Sequence, residues 1–328
     1  MADSLLIFHA AGLRLAVCTA TNLSREAAGR HGLASGSAAV LGQALAGTLL
    51  LAGTDRAAAA QARVDVQLEC GGPLRGLLVD ADGSGAVRGL VRVNALARNG
   101  ARVEEPGREP LATGPVHGDA APLARFDARP LLSTGQDEEA GVLSVLRAVP
   151  EREAPHRASY PFAGADLGAA LSVFLRNERA QGGELSCEVL WRPSEPLASV
   201  AAILAWGTTE DDAEAARALG EALRQGALAQ AMRDAEDEGR NAHALAQCLS
   251  RALTLGPLRL ESETRPRFAC RCSRERLVRA LSTMGAAELR DMAARDGGAS
   301  ATCDFCMATY RIGAAELLEL AGDGAPSA

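Results

Sequence analysis

Two close pairs of cysteines near the carboxyl end, Cys270-Arg271-Cys272 and Cys303-Asp304-Phe305-Cys306, place the strictest condition on how this chain can fold. Thirty residues separate them, so neither pair can close a site without a fold that brings the other to it. Together they would offer four thiolates in the tetrahedral arrangement of a zinc site, with Zn–S near 2.3 Å. The nearest histidine, His243, lies well upstream, so the ligand set is all sulfur. Two paired-cysteine motifs in a chain read as cytosolic point to a metal site rather than to structural disulfides.

The residues around these cysteines, 268–320, spell a small module. Ser273 is placed to cap a helix carrying Leu277, Leu281 and Met284. Leu289, Met292 and Ala293 mark a second helix, ended by Gly297-Gly298, and Tyr310 with Leu317-Leu318 completes a thin core. A module of this size is marginal alone. A structural zinc contributes about 10–16 kcal/mol of apparent folding energy, so the module is expected to unfold without it. The C-x-C half is unusual for a structural site. A disulfide across one intervening residue would close a small, constrained ring, easily reduced, which suits a reversible switch. Arg271, Arg274 and Arg276 flank this pair, and nearby cations favour the reactive thiolate.

Composition excludes several other chemistries. All 34 basic side chains are arginine, so the lysine of a phosphate-binding loop, a pyridoxal enzyme or a protein kinase is missing. There is no G-x-G-x-x-G and no G-x-S-x-G. A net charge of -7 argues against general affinity for nucleic acid or anionic membranes. The amino-terminal residues, with Asp3 at the start and His9 and Arg14 breaking the apolar run, do not read as a secretory leader. The apolar run 34–53 carries Gln43, Thr48 and four glycines and reads as a buried core helix rather than a membrane span. The expected location is cytoplasmic. Cys18, Cys70, Cys187 and Cys248 are scattered through apolar segments and read as small core residues.

Along the chain, residues 12–21 read as a strand, followed by a helix capped by Asn22 or Ser24 and then the buried helix over 38–52. Val64, Val66 and Leu68 alternate with polar residues, opening a meander of strands with turns at 71–73 and 82–85. Residues 95–140 carry no clear pattern. Strands over 142–149 and 157–162 come next, then a helix capped by Asp166 with Leu167, Leu171 and Phe174 on one face, and closing strands over 185–191 and 200–206. The fold class is α+β, with a mainly antiparallel sheet core and packed helices. From Thr208 the character changes. Glu210, Asp211, Asp212 and Glu214 open an Ala-rich helical segment bearing Leu219, Leu223 and Leu228. A second helix bears Leu245, Leu249 and Leu253. Gly220 and Gly226 weaken this segment by roughly 1 kcal/mol each. Three parts follow: a core domain over 1–208, a metastable helical linker over 209–266, and a four-cysteine domain over 267–328, the last two succeeding the core in chain order.

The segment Phe268-Ala269-Cys270-Arg271-Cys272-Ser273-Arg274-Glu275-Arg276, followed by Cys303-Asp304-Phe305-Cys306 and Tyr310, resembles the heat-shock protein 33 family of redox-regulated chaperones. Arg30-His31-Gly32-Leu33, Leu41-Gly42 and Leu49-Leu50-Leu51-Ala52 resemble its first helices. Val66-Gln67-Leu68, Gly72-Pro73-Leu74 and Val87-Arg88-Gly89 resemble its sheet. Two departures stand out. Where the family carries a Y-F-x-x-S-E-Q-like stretch, residues 173–179 keep only Phe174 and Glu178, and Met307 stands where glycine is usual.

The resemblance implies a chaperone and not an enzyme. One zinc is held by Cys270, Cys272, Cys303 and Cys306 in the reduced, inactive form. Oxidants pair Cys270 with Cys272 and Cys303 with Cys306, zinc leaves, and the small domain and linker unfold. Unfolding client proteins are then held without ATP, by a form that tends to be a homodimer, with no nucleic acid or membrane partner. Two other readings of the cysteines stay open: a zinc ribbon binding nucleic acid through its arginines, and a thiol–disulfide oxidoreductase using Cys303 and Cys306.

Overall fold

The computed structural model describes residues 2–322 apart from 54–60, 95, 99–100, 104–122, 134–140, 151–153, 164–165, 179–182, 208, 210–211 and 240. Thr208, Glu210 and Asp211, named above, lie outside the described residues, as do the last residue of the stretch 173–179 and much of the patternless stretch 95–140. The chain forms two compact units, Met1–Ala269 and Cys270–Ala328.

The first unit is built around the helix Ser35–Gly53, whose residues 36–52 are all buried. A helix apolar on every side must be covered on every side. Strands of two six-stranded sheets do so. In the first sheet the order is Arg259–Thr264, Leu5–Ala10, Leu13–Thr19, Glu195–Gly207, Glu184–Arg192 and Ala124–Arg125, each pair antiparallel. The second runs His156–Phe162, Gly141–Ala148, Arg63–Glu69, Gly76–Asp82, Ala86–Val91 and Arg267–Phe268, antiparallel except for the last pair. Val64, Val66 and Leu68 point into the core as their alternation requires. The expected α+β class with antiparallel sheets is what the chain adopts. The helix Ser35–Gly53 is long and apolar enough to span a membrane, but it is the central strut of this core.

Local expectation and structure differ at three places. Residues 12–21 are only half of a hairpin, Leu5–Ala10 with Leu13–Thr19. Its two-residue turn places Ala11 at φ 49 and Gly12 at φ 78, the twist that joins adjacent antiparallel strands. Ala-Gly is a weak turn signature, which hides the hairpin in the sequence. The next helix, Thr21–His31, is not capped by Asn22 or Ser24. Asp3 reaches across from the preceding segment and accepts the N–H groups of Asn22 (3.3 Å) and Leu23 (2.7 Å). The Ser24 hydroxyl instead donates to the Ala20 carbonyl inside the core.

The third difference lies in the segment read as a helical linker. It holds three helices, Asp212–Arg224, Ala227–Asp237 and Ala242–Ala252. Gly226, at φ 99, does not merely weaken one helix; it separates two. The close approach of Glu184 leaves no room for a side chain at Gly220, where a Cβ would lie 2.5 Å from that carboxylate chain. The helices cover the outer face of the first sheet. Leu219, Leu223, Leu228, Met232, Leu245 and Leu249 form one buried cluster with Leu6, Phe8, Leu15, Val17 and Ile203. The chain then leaves helix altogether: Arg259–Thr264 is an edge strand on Leu5–Ala10. Its alternating polar side chains give little apolar signal. Glu261 fastens it, buried between Arg14 (2.7 Å) and His9 (2.8 Å).

Glu178, one of the two residues retained in the family-like stretch 173–179, has a structural role. It ends the helix Leu167–Glu178 and meets Arg147 at 2.7 Å, with both side chains almost wholly buried. Phe174 is fully buried on the same helix. Asp166 supplies the expected cap, accepting from the Ala169 N–H at 3.2 Å.

The second unit contains helices Arg274–Leu281, Ala286–Asp296 and Ala314–Leu320 and one hairpin, Gly298–Thr302 with Thr309–Gly313. Leu281, Leu289, Ala293, Ile312, Leu317 and Ala321 form its buried apolar cluster. Ser273 caps the first helix by accepting the Arg276 N–H (3.3 Å), as its sequence position indicates. Gly297 closes the second in the left-handed region at φ 68.

Candidate metal centre

The hairpin of the second unit makes half of the site. Its last register pair is Thr302 with Thr309, and Cys303 through Cys306 form the turn between. The Cys303 carbonyl accepts the N–H groups of Cys306 (3.3 Å) and Met307 (2.8 Å), while the Cys303 N–H donates to Ala308. This knuckle turns Cys303 and Cys306 to one side. It also requires a left-handed residue after Cys306, and Met307 occupies that position at φ 61. Glycine is favoured at such a position because it has no Cβ to clash. The first pair, Cys270 and Cys272, lies on the extended segment leading into the Ser273-capped helix.

These two halves meet. The Sγ atoms of Cys270 and Cys303 are 3.6 Å apart, and those of Cys272 and Cys306 are 3.3 Å apart. All four sulfurs fall within 4.8 Å of one another. A tetrahedron with Zn–S near 2.3 Å has sulfurs roughly 3.8 Å apart, inside this spread. Among the described residues no other group of three or more His, Cys, Asp or Glu ligand atoms gathers in this way. Each short contact links one pair to the other, so the cluster ties the segment before the first helix to the hairpin.

Electrostatics favour a cation here. Burial, with the neighbouring thiols Cys272, Cys270 and Cys303, pushes the Cys306 thiol up to about 12, although the Ala308 N–H opposes it. Burial likewise raises Cys303, against the N–H groups of Phe305 and Cys306. Crowded, half-buried sulfurs cannot all be anionic without a positive partner, and a bound metal ion supplies one. The flanking arginines take other partners: Arg274 pairs with Glu316, and Arg276 donates to the Arg271 carbonyl (2.9 Å). For Arg274 and Arg276 these are the contacts that hold the guanidinium groups, one to a carboxylate and one to a backbone carbonyl.

Tyr310, read from sequence as a core residue, has its hydroxyl 3.1 Å from Cys272 Sγ. No pattern in the sequence announces that contact; it follows from the hairpin register that sets Tyr310 opposite Ala301. The Cys303–Cys306 pair sits between two strands, not at the start of a helix, so it lacks the helix dipole that lowers the attacking thiol of a disulfide oxidoreductase. Cys18, Cys70, Cys187 and Cys248 are buried apart from this cluster, as expected of core residues. Burial raises Cys18 and Cys187 far above the ordinary thiol range.

An α+β core followed by a compact unit with a four-sulfur cluster defines the class. The model of the Hsp33 protein family matches residues 4–313. The 33 kDa chaperonin of Synechococcus elongatus is 30% identical over 328 residues, covering 98% of each chain. That of Gloeobacter violaceus is 31% identical over 331 residues, covering 97% of this chain and 94% of the relative. The crystal structure of the 33 kDa chaperonin (heat shock protein 33 homolog) from Thermotoga maritima shares the fold, with a TM-score of 0.67, 20% identity and 98% of each chain covered. The chain belongs to the heat-shock protein 33 family of chaperones.

Proposed function

We propose that this protein is a redox-regulated, ATP-independent holdase of the cytoplasm, switched by Cys270, Cys272, Cys303 and Cys306. The observation that carries the reading is the convergence of these four sulfurs in a unit with few buried apolar residues. One zinc ion bound there would supply the positive charge that keeps the sulfurs anionic and adds folding energy to the unit. In the reduced chain the four thiolates close the segment 270–272 onto the hairpin turn. Oxidation joins Cys270 to Cys272 and Cys303 to Cys306, which removes the negative charges that retain a cation and undoes the cross-links between the two halves.

Loss of the small unit reaches the rest through the chain. The strand Arg259–Thr264 and the helices before it precede Cys270 directly in sequence. These helices bury their leucines against the outer face of the first sheet. Once they detach, that face and the helices themselves present Leu, Phe and Ile side chains to unfolding clients. The oxidised form pairs with a second copy over such exposed surface. Residues 1–208, 209–266 and 267–328 thus act as platform, releasable cover and sensor.

Zinc and thiol titration of the purified chain, before and after peroxide at raised temperature, tests this. One zinc per reduced chain is expected, lost as four thiols disappear and as suppression of client aggregation appears. A Cys270→Ser, Cys272→Ser chain that keeps its zinc and its oxidant activation refutes the assignment.

A further inference from the structure

Resting on the four-thiolate reading, we propose that Tyr310 is a positioning residue of the centre: its hydroxyl donates a hydrogen bond to the Cys272 thiolate and so sets how readily the first cysteine pair is oxidised. The Oη–Sγ distance is 3.1 Å. A metal-bound thiolate has no proton to give, so on the four-thiolate reading the phenol is the donor. Tyr310 is held for this role by its place on the strand Thr309–Gly313, opposite Ala301. Backbone N–H groups donate to the sulfurs of the second pair: Phe305 and Cys306 to Cys303, and Ala308 to Cys306. Those arise from the turn itself, whatever side chains it bears. Tyr310 is a donor that one oxygen atom adds or removes.

The chemical consequence follows from where the electrons must go. A hydroperoxide oxidises a thiolate when the sulfur lone pair attacks the O–O bond: an S–O bond forms, O–O breaks, and hydroxide (or an alkoxide) departs, leaving a sulfenic acid. The second thiolate of the pair then attacks that sulfur. An S–S bond forms, S–O breaks, and a second hydroxide leaves; two thiolates have given two electrons to one peroxide. A hydrogen bond donated to Cys272 draws on the same lone-pair density and makes it the poorer nucleophile in either step. Charge-assisted bonds of this kind are about twice as strong as neutral ones, so the effect on rate is measurable. Tyr310 therefore acts as a brake on the Cys270–Cys272 half of the switch.

The test uses the full reduced, zinc-loaded chain. Tyr310→Phe keeps the ring and loses the hydroxyl. It is expected to hold one zinc and to release it to peroxide about three- to tenfold faster, with the acceleration mapped by mass spectrometry to Cys270 and Cys272. Tyr160→Phe, which removes the other tyrosine hydroxyl far from the cysteines in sequence, is expected to react at the wild-type rate. In that Tyr160→Phe chain, 3-fluorotyrosine at position 310 is a stronger donor, and it is expected to slow oxidation about twofold. A zinc-loaded Tyr310→Phe chain oxidised at the wild-type rate overturns the proposal. So does a fluorotyrosine chain that reacts no more slowly, and that measurement decides should Tyr310→Phe fail to keep its metal. A reduced wild-type chain that binds no zinc refutes the metal reading itself.

Discussion

The helix Ser35–Gly53 and the unit Cys270–Ala328 solve the same problem by opposite means. Seventeen consecutive residues, 36–52, are buried on the helix, between two sheets that bury their own alternate residues against it. At about 25 cal/mol per Å2 of apolar surface, such a core needs nothing beyond its own side chains. Among the described residues the apolar cluster of the second unit comprises Leu281, Leu289, Ala293, Ile312, Leu317 and Ala321, two of them alanines. What it has in addition is four sulfurs brought together. One region is stable because it excludes water; under the proposed function the other is stable only while its sulfurs are reduced and bound to a metal ion. Under that proposal, sensitivity to oxidants lies in the part that has least else to hold it.

The comparison breaks most severely if the second unit survives without metal. A strong zinc chelator added to the reduced chain is expected to remove about 10–16 kcal/mol of apparent folding energy from it. Hydrogen exchange should then show residues 270–322 exchanging at unfolded rates while 36–52 stay protected. Retained protection in 270–322 would mean that its apolar core suffices.

A second cut sharpens the contrast from the side of the first unit. Arg147 and Glu178 form a buried pair at 2.7 Å. Glu178→Ala removes the carboxylate paired with the buried Arg147 guanidinium and is expected to cost about 3–5 kcal/mol in denaturant unfolding of the first unit. The zinc content of the reduced protein should not change. Loss of zinc in this variant would show that the two regions do not stand on separate supports.

The smallest effect concerns Met307. Its left-handed backbone, φ 61, is strained for a residue with a Cβ. Met307→Gly is expected to stabilise the second unit by up to about 1 kcal/mol, partly offset by the greater freedom of glycine in the unfolded chain. Thermal release of zinc from the reduced chain should move to higher temperature. A downward shift would mean that the thioether makes a contact worth more than the strain.

Much of this molecule is legible from residue patterns because the patterns are periodic. Val64, Val66 and Leu68 announce a strand, an all-apolar run announces the buried helix, and Asp166 and Ser273 announce helix starts. The spacing of Cys270, Cys272, Cys303 and Cys306 announces that two close sulfur pairs will gather at one place, as they do. The failures share a cause as well. Asp3 caps a helix that begins eighteen residues later, the strand Arg259–Thr264 finds its partner at Leu5–Ala10, and neither relation leaves a local signature.

Sequence alone was enough to determine the α+β class, the buried helix, the identity of the four clustered cysteines and the family they belong to. Each of these depends on interactions between neighbours in the chain or on the rarity of a residue type. Only the tertiary structure decided that the helices 212–252 lie over the outer face of the first sheet, that Glu178 answers Arg147, that Met307 bears a glycine's conformation, and that the Tyr310 hydroxyl reaches Cys272. Those contacts join residues far apart in the chain. Their partners are chosen by packing and register, which no local stretch of sequence contains.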